Sequence, residues 1–298
     1  MSVQNHRLDR RALFASGAAA ALLAATGVSA HTRPKSGGRL RMALSGAGRG
    51  DSFDSRAETG TFMQIASVGA VFDTLTEVAS DGTLRGELAT AWTGSPDARS
   101  WDFELRKGVV FHNAAPLTAR DVVASLDLHR ADHLSTVDRI TAISDHRLRV
   151  NLGVPNPHFP YLLSSHRFII FPADDLAAAM RDGIGTGLYR VRRFLPGRQF
   201  LGQRVEHHYK DGQAGWFDEV EIVSIPSASV RIEALLGHFV DVSEVSDPAS
   251  FSGHRDISLL PTPTAMTQAV RRNIAMPVSV GTQAPLDNLR AAERWWIA

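Results

Sequence analysis

Polar and apolar residues alternate along Arg39-Leu40-Arg41-Met42-Ala43-Leu44, which predicts a strand, and the glycine-rich stretch Ser45 to Gly50 after it reads as a loop. Phe62, Ile65, Val68, Phe72 and Leu75 recur at helical spacing and predict a helix over 61–75 with one apolar face. Trp101-Asp102-Phe103-Glu104-Leu105 alternates strictly. With Arg106-Lys107-Gly108 as a turn and Val109-Val110-Phe111 as a partner strand, it predicts a hairpin. Thr118 stands three residues before Asp121, a capping pair for a helix that continues through Val122, Val123, Leu126 and His129-Arg130. Further strands are predicted at 139–143 and 147–152, then a break at Pro155-Asn156-Pro157 and a short segment at 158–164. Phe168 to Phe171 reads as a buried strand, and Pro172 to Arg181 as a short helix with proline in its first turn.

Gly183-Ile184-Gly185-Thr186-Gly187 reads as a crossing into a strand-rich region: Leu188 to Phe194, Gln199 to His207 and Glu219 to Ile225. A helix over Ser227 to Leu236, with Val230, Ala234 and Leu235 on one side, leads into a short strand at Val240-Asp241-Val242. Leu286 to Ala298 has helical spacing. At the other end, Arg10-Arg11 precede an uncharged stretch from Ala12 to Val28 that closes in Val28-Ser29-Ala30, the pattern of an export signal cleaved near Ala30. Asp9-Arg10-Arg11-Ala12-Leu13-Phe14 resembles the twin-arginine consensus. No later apolar run approaches the roughly 18 residues that span a bilayer, so the mature protein is expected to be soluble and periplasmic.

Composition narrows the function. The 298 residues are 44% apolar and 21% charged, enough for a globular core, and 32 basic against 31 acidic residues leave no surplus to neutralise a phosphate backbone, so no nucleic-acid partner is expected. With no Cys, disulfides, thiolate catalysis and Cys-ligated metals are excluded.

Chemistry-bearing motifs are few. Gly46-Ala47-Gly48-Arg49-Gly50 has Asp51 where a dinucleotide loop needs its third glycine, and Gly183 to Gly187 lacks the Lys-Ser/Thr of a phosphate loop. His129 and His133 share a helical face at metal-ligand spacing, but Arg130 stands where a metalloprotease has its general-base Glu, and a solvated face is the expectation. His207 and His208, adjacent in a predicted strand, point to opposite faces. There is no Gly-x-Ser-x-Gly elbow. Neither a catalytic set, a metal site nor a cofactor is called for; an exported hydrolase or metal-dependent enzyme is the alternative, resting on scattered histidines.

Four stretches together resemble the extracellular solute-binding proteins of ABC importers, family 5, the peptide, dipeptide and nickel type. They are Leu84-Arg85-Gly86-Glu87-Leu88-Ala89-Thr90-Ala91-Trp92; Trp101 to His112 continuing through Pro116-Leu117-Thr118-Ala119-Arg120-Asp121-Val122-Val123; Gly185-Thr186-Gly187-Leu188-Tyr189; and Ala234-Leu235-Leu236-Gly237-His238-Phe239-Val240-Asp241-Val242. The chain departs from the pattern at Asn113-Ala114-Ala115 and at Leu188, where members carry Asp-Gly and Pro.

The resemblance implies an α/β, periplasmic-binding-protein-like fold (type II, cluster C-like): a discontinuous first lobe over 38–75 and 185–280, and an inserted β-rich subdomain over 76–184. Pro285-Leu286-Asp287-Asn288-Leu289-Arg290 resembles the entry into the second lobe, so 281–298 is expected to begin a lobe that is largely missing, with weak or no ligand binding as the consequence. It implies a peptide or other small-solute ligand, delivered to an ABC permease in the membrane, with a non-transporting sensor or scaffold as a further alternative. The loop after the first strand is the implied ligand wall: Ser45, Gly46, Asp51, Phe53 and Asp54, with Asp51 or its neighbours meeting a ligand amine. The 101–123 signature is expected to be structural.

Overall fold

The computed structural model describes residues 36–57, 60–79, 83–251, 253–261 and 267–271, all in one compact unit beginning at Pro34. The export signal expected over 1–30 and the helix expected over 286–298 lie outside the described residues. In chain order the strands are β1 (Arg39–Leu44), β2 (Thr76–Val78), β3 (Leu84–Gly86), β4 (Ala89–Gly94), β5 (Ser100–Leu105), β6 (Val137–Ser144) and β7 (Arg147–Leu152). They continue as β8 (Tyr189–Leu195), β9 (Gln199–Arg204), β10 (Glu219–Ser224), β11 (Val242–Val245), β12 (Ile257–Pro261) and β13 (Thr267–Arg271). The α-helices are α1 (Thr61–Gln64), α2 (Ala119–Asp127), α3 (Phe159–Leu162), α4 (Leu176–Asp182) and α5 (Ala228–Leu236). None of these helices is long and apolar enough to cross a membrane.

β1 is buried on both faces: Leu40, Met42 and Leu44 enter one core cluster, and Ala43 another with Ala234 and Leu235 of α5. That is the environment of a central strand. It pairs in parallel with β10 on one side and β11 on the other, and antiparallel strands complete a seven-stranded sheet in the order β12-β13-β11-β1-β10-β9-β8. Asp241 pins β1 to the entry of β11, accepting from Arg41 N, Nε and Nη2 at 2.9, 3.1 and 2.9 Å. A second, antiparallel sheet, β4-β5-β7-β6, lays Phe103, Leu105, Leu148 and Val150 against Val122 and Leu126 of α2; β2 and β3 form a separate ribbon.

The capping pair is present: Thr118 donates N–H and Oγ–H to Asp121 Oδ2 at 2.7 and 2.8 Å, while Asp121 Oδ1 accepts from Ala173 N at 2.8 Å and ties α2 to the 172–175 segment. Other expectations are corrected. The partners of β5 are β4 and β7, not 109–111, which closes a local loop through Phe111 N to Ala115 O and Leu117 N to Val109 O. Phe168 to Phe171 is buried but is no strand: Ile170 N donates to Asp73 O and Phe171 N to Ser125 Oγ, so these groups are satisfied without a ladder.

The 61–75 helix stops at Val71. After α1 it widens into π turns over Ile65–Val71, buried on every side, and ends with Phe72 N donating to Ser67 O at 2.8 Å. Helix α2 ends at Asp127, before His129. α4 begins at Leu176 rather than Pro172, so the proline lies before its first turn; Asp175 caps it, accepting from Ala178 N. On α5 the buried positions are Arg231, Ala234 and Leu235, while Val230 is exposed; Arg231 turns inward because its guanidinium binds the carbonyls of Ile225, Pro226 and Glu244. The short strand begins at Val242 rather than Val240. β9 ends at Arg204, so His207 and His208 sit in a turn-bearing loop.

Candidate functional site

Ligands of open α/β sheets bind outside the carboxyl ends of the parallel strands. Here those ends are Ser45 after β1, Ile225 after β10 and Ser246 after β11. The β8–β9 turn joins them: Ser224 N donates to Arg198 O at 2.8 Å, and the Gly197 Cα lies so close to the 45–50 loop that a Cβ there would stand 3.0 Å from Gly48 C and O.

The five implied ligand-wall residues divide. Ser45 donates N–H and Oγ–H to Glu244 Oε2 at 2.8 and 2.7 Å. Gly46 has φ +78, the left-handed conformation glycine permits, and packs its carbonyl under Gly60. Asp51 sits on the surface turn and accepts from Gly48 N at 3.0 Å. Asp54 is clasped by Arg56, through N, Nε and Nη2 at 3.0, 2.9 and 2.7 Å, and this bonding holds its carboxyl below the usual range. Phe53 is 1% exposed, its ring 5.8 Å from Phe72 and 4.7 Å from Phe194, so it supports the loop from beneath and has no face open to a ligand. The loop is apolar underneath and polar above, and alternation within so short a segment carries no mark of which side is which.

Glu244 is the residue that sequence reading passed over. It lies on β11, 4% exposed, immediately beside Ser45. Its only signal was a carboxylate in a run otherwise apolar or small, Val240 to Val245, interrupted as well by Asp241.

Three of the described histidines, His129, His112 and His208, act as fasteners. His129 is 2% exposed and its Nε2 lies 3.0 Å from Ser55 Oγ, joining the end of the 45–57 segment to the turn after α2. Its neighbour His133 has its ring centroid 6.1 Å away, on a turn, and among the described residues no group of three or more His, Asp or Glu gathers as a metal set. His112 Nε2 donates to Gly187 O at 2.8 Å and His208 Nε2 to Thr186 O at 2.9 Å, so both hold the glycine-rich crossing.

Burial, with the positive field of His133 and Arg167 behind it, lowers the His129 pKa to about 4. Burial lowers that of His112 as well. Both are neutral in the fold and take up a proton near pH 6.5 once unfolded. Their contribution is therefore whole above pH 6.5 and lost as pH falls toward 4, with His129 alone accounting for roughly 3 kcal/mol. We expect the urea midpoint to fall steadily between pH 6.5 and 4.5, and His129→Gln, which keeps a hydrogen-bonding group, to flatten that slope. An unchanged slope would show that His129 titrates normally.

Two cavities lie away from the strand ends. One of about 430 Å³ is lined by Thr90, Glu104, Arg106, Lys107, His146 and Arg147. Another, of about 200 Å³, borders Glu77, Arg85, Arg106, Tyr209 and Lys210, whose charges pair with one another: Lys210 Nζ to Glu87 Oε1 at 2.7 Å and Glu77 Oε2 at 3.2 Å, and Arg85 Nε to Glu77 Oε1 at 2.6 Å.

Comparison with known proteins places this geometry. The probable peptide ABC transporter periplasmic-binding protein y4tO of Sinorhizobium fredii is 28% identical over 233 residues, 70% of this chain and 42% of that protein. The HTH-type transcriptional regulator SgrR of Salmonella typhi is 32% identical over 167 residues, 53% of this chain and 29% of the regulator. The structure of the PBP AgaA in complex with agropinic acid, from A. tumefaciens R10, superposes with a TM-score of 0.69 at 25% identity, over 75% of this chain and 48% of its own. The chain thus spans less than half the length of each. The model of the bacterial extracellular solute-binding proteins, family 5 Middle, matches residues 83–291. With most of its length under that match, and the periplasmic-binding-protein fold beneath it, the chain belongs to the bacterial extracellular solute-binding proteins, family 5.

Proposed function

We propose that the chain serves an ABC import system as a substrate-binding protein, capturing oligopeptides or similar small solutes outside the cytoplasmic membrane for delivery to the permease. The observation that carries this is the family match over 83–291, on a fold whose 45–54 loop, β8–β9 turn and post-β11 segment converge at one end of the sheet. In this reading the described residues of 38–75 and 185–271 belong to the lobe that bears this wall, with those of 76–184 inserted into it. Ser45, Gly46, Asp51 and Asp54 line the wall and Phe53 supports it from below. The twin-arginine-like segment before Ala30 takes the protein to the periplasm.

The peptide preference rests on the Sinorhizobium relative, a probable peptide ABC transporter periplasmic-binding protein. In a calorimetric titration of the chain with a casein digest, we expect saturable binding with a Kd on the order of 0.1–1 mM, about −4 to −5.5 kcal/mol, since the described residues furnish one wall of a cleft. No saturable heat up to about 10 mM, while an opine such as agropinic acid binds, would overturn the peptide reading and leave the small-solute one. A second reading, a ligand sensor that does not transport, is favoured by the SgrR relatives. It predicts binding without any gain in uptake when the chain is added to permease-bearing vesicles.

A further inference from the structure

The cavity of about 430 Å³ lies where the end of β5 meets the turn between β6 and β7, and its charges do not balance. Among the described residues its lining holds three cations, Arg106, Lys107 and Arg147, against one carboxylate, Glu104. The neighbouring acid is already engaged. Asp102 takes the Arg149 fork, Nε at 2.6 Å and Nη2 at 2.8 Å, and reaches Arg147 through Nη2 alone at 3.1 Å. Lys107 is exposed and forms no ion pair among the described residues. With Asp102 and Arg149 cancelling, a surplus of two positive charges remains around the cavity.

These groups are held in place rather than merely crowded. Leu105 N donates to His146 O at 2.9 Å and Arg106 N to Leu88 O at 2.8 Å, tying the end of β5 to the β6–β7 turn on one side and to the entry of β4 on the other. The Arg106 guanidinium donates Nε–H to Glu87 O at 3.1 Å and lies over the Tyr209 ring, 4.7 Å from its centroid. Neither Nη group meets an acceptor among the described residues. A planar fork fixed at its root, with both end donors unspent, is suited to two oxygens of one oxyanion.

We propose that this cavity binds a phosphate monoester, with Arg106 as the fork, Lys107 and Arg147 as flanking charges, and Glu104 as an opposing charge that limits affinity. A surplus of two charges matches a dianion. Small-molecule sites run from about 300 to 1,000 Å³, so the space admits a small organic group as well as the phosphate. The site belongs to the 76–184 segment, away from the strand-end wall, and does not depend on the substrate-binding reading.

The test titrates the 298-residue chain calorimetrically, in phosphate-free buffer at low salt, with inorganic phosphate and with glycerol 3-phosphate. Co-sedimentation with vesicles of equal parts phosphatidylcholine and phosphatidic acid covers the same headgroup chemistry on a lipid. Glycerol 3-phosphate is expected to bind with a Kd on the order of 0.1–1 mM, weakened about tenfold by Arg106→Gln and about threefold by Lys107→Ala. Glu104→Gln is expected to tighten binding instead. That opposite sign separates a site from a damaged fold. Lys107 and Glu104 are both exposed, so their variants should keep the wild-type melting temperature. Binding to the vesicles alone, with the same order among the variants, supports the site and assigns it to a lipid headgroup. Binding that all three variants leave unchanged, weaker binding by Glu104→Gln, or no saturable response to any probe below about 10 mM overturns the proposal.

Discussion

Gly187→Ala is expected to abolish the native fold. A Cβ on Gly187 would stand 2.3 Å from Ala70 O and 2.6 Å from Val71 C, and on Gly185, two residues earlier, 2.2 Å from Val71 O. These are backbone atoms at the end of the π turns and have no rotamer by which to yield. Nor can the crossing move away. Gly187 N donates to Val71 O at 2.9 Å, its carbonyl accepts from His112, and between the two glycines Thr186 Oγ1 donates to Asp73 Oδ2 at 2.9 Å. Overpacking a core side chain costs about 1–3 kcal/mol, and a clash of backbone on backbone exceeds that range. Gly212→Ala is the control. It sits at φ +76 with nothing within 4 Å of its would-be Cβ, so its cost is the dihedral alone, about 1 kcal/mol. Near-UV circular dichroism against urea separates the outcomes: a cooperative, near-native transition for Gly187→Ala would show that the close approach is absent in solution.

Lys210→Met is expected to destabilise the chain by about 3–5 kcal/mol, the scale for removing one partner from a buried ion pair. Glu87, fully buried, and Glu77 both receive Lys210 Nζ. The loss falls unevenly. Glu77 keeps Arg85 at 2.6 Å, whereas the other oxygen of Glu87 is held by Thr74 N and Oγ1 at 2.8 and 3.1 Å, hydrogen-bond donors without full charge. Combining Lys210→Met with Glu87→Gln should restore part of the loss, because a buried charge that Lys210 met goes with its cation. Additive losses in urea melts of the single and double variants would show that Lys210 acts through packing.

The sequence made visible whatever is decided locally. The alternation of β5 and β7 survives because a strand with one buried face must show it, and Thr118 with Asp121 bond within one turn. What it hid is set by distant partners. β5 pairs with β4 before it and with the more distant β7, not with 109–111 just after it, and 168–171 satisfies its amides on Asp73 and Ser125. Phe53 and Glu244 show the same limit at the candidate site. An aromatic beside an acid on a loop reads as ligand-facing until Phe72, Phe194 and Phe200 are seen around the ring, and a lone acid in a strand reads as nothing until Ser45 is beside it. The family was legible because motifs keep their order along the chain; the lining of the wall was not, since it depends on register between strands some 200 residues apart.

The register of β1 has a consequence in time. Arg39 pairs with Glu219 and Met42 with Val242, so the first of the described strands to be synthesised waits for both neighbours. At about 5–20 residues per second, that wait is on the order of ten to forty seconds. The four-stranded sheet, whose strands all fall within 89–152, is complete well before then. Throughout the interval β1 is a bare apolar ribbon with two open edges, the segment of the newborn chain most in need of a chaperone.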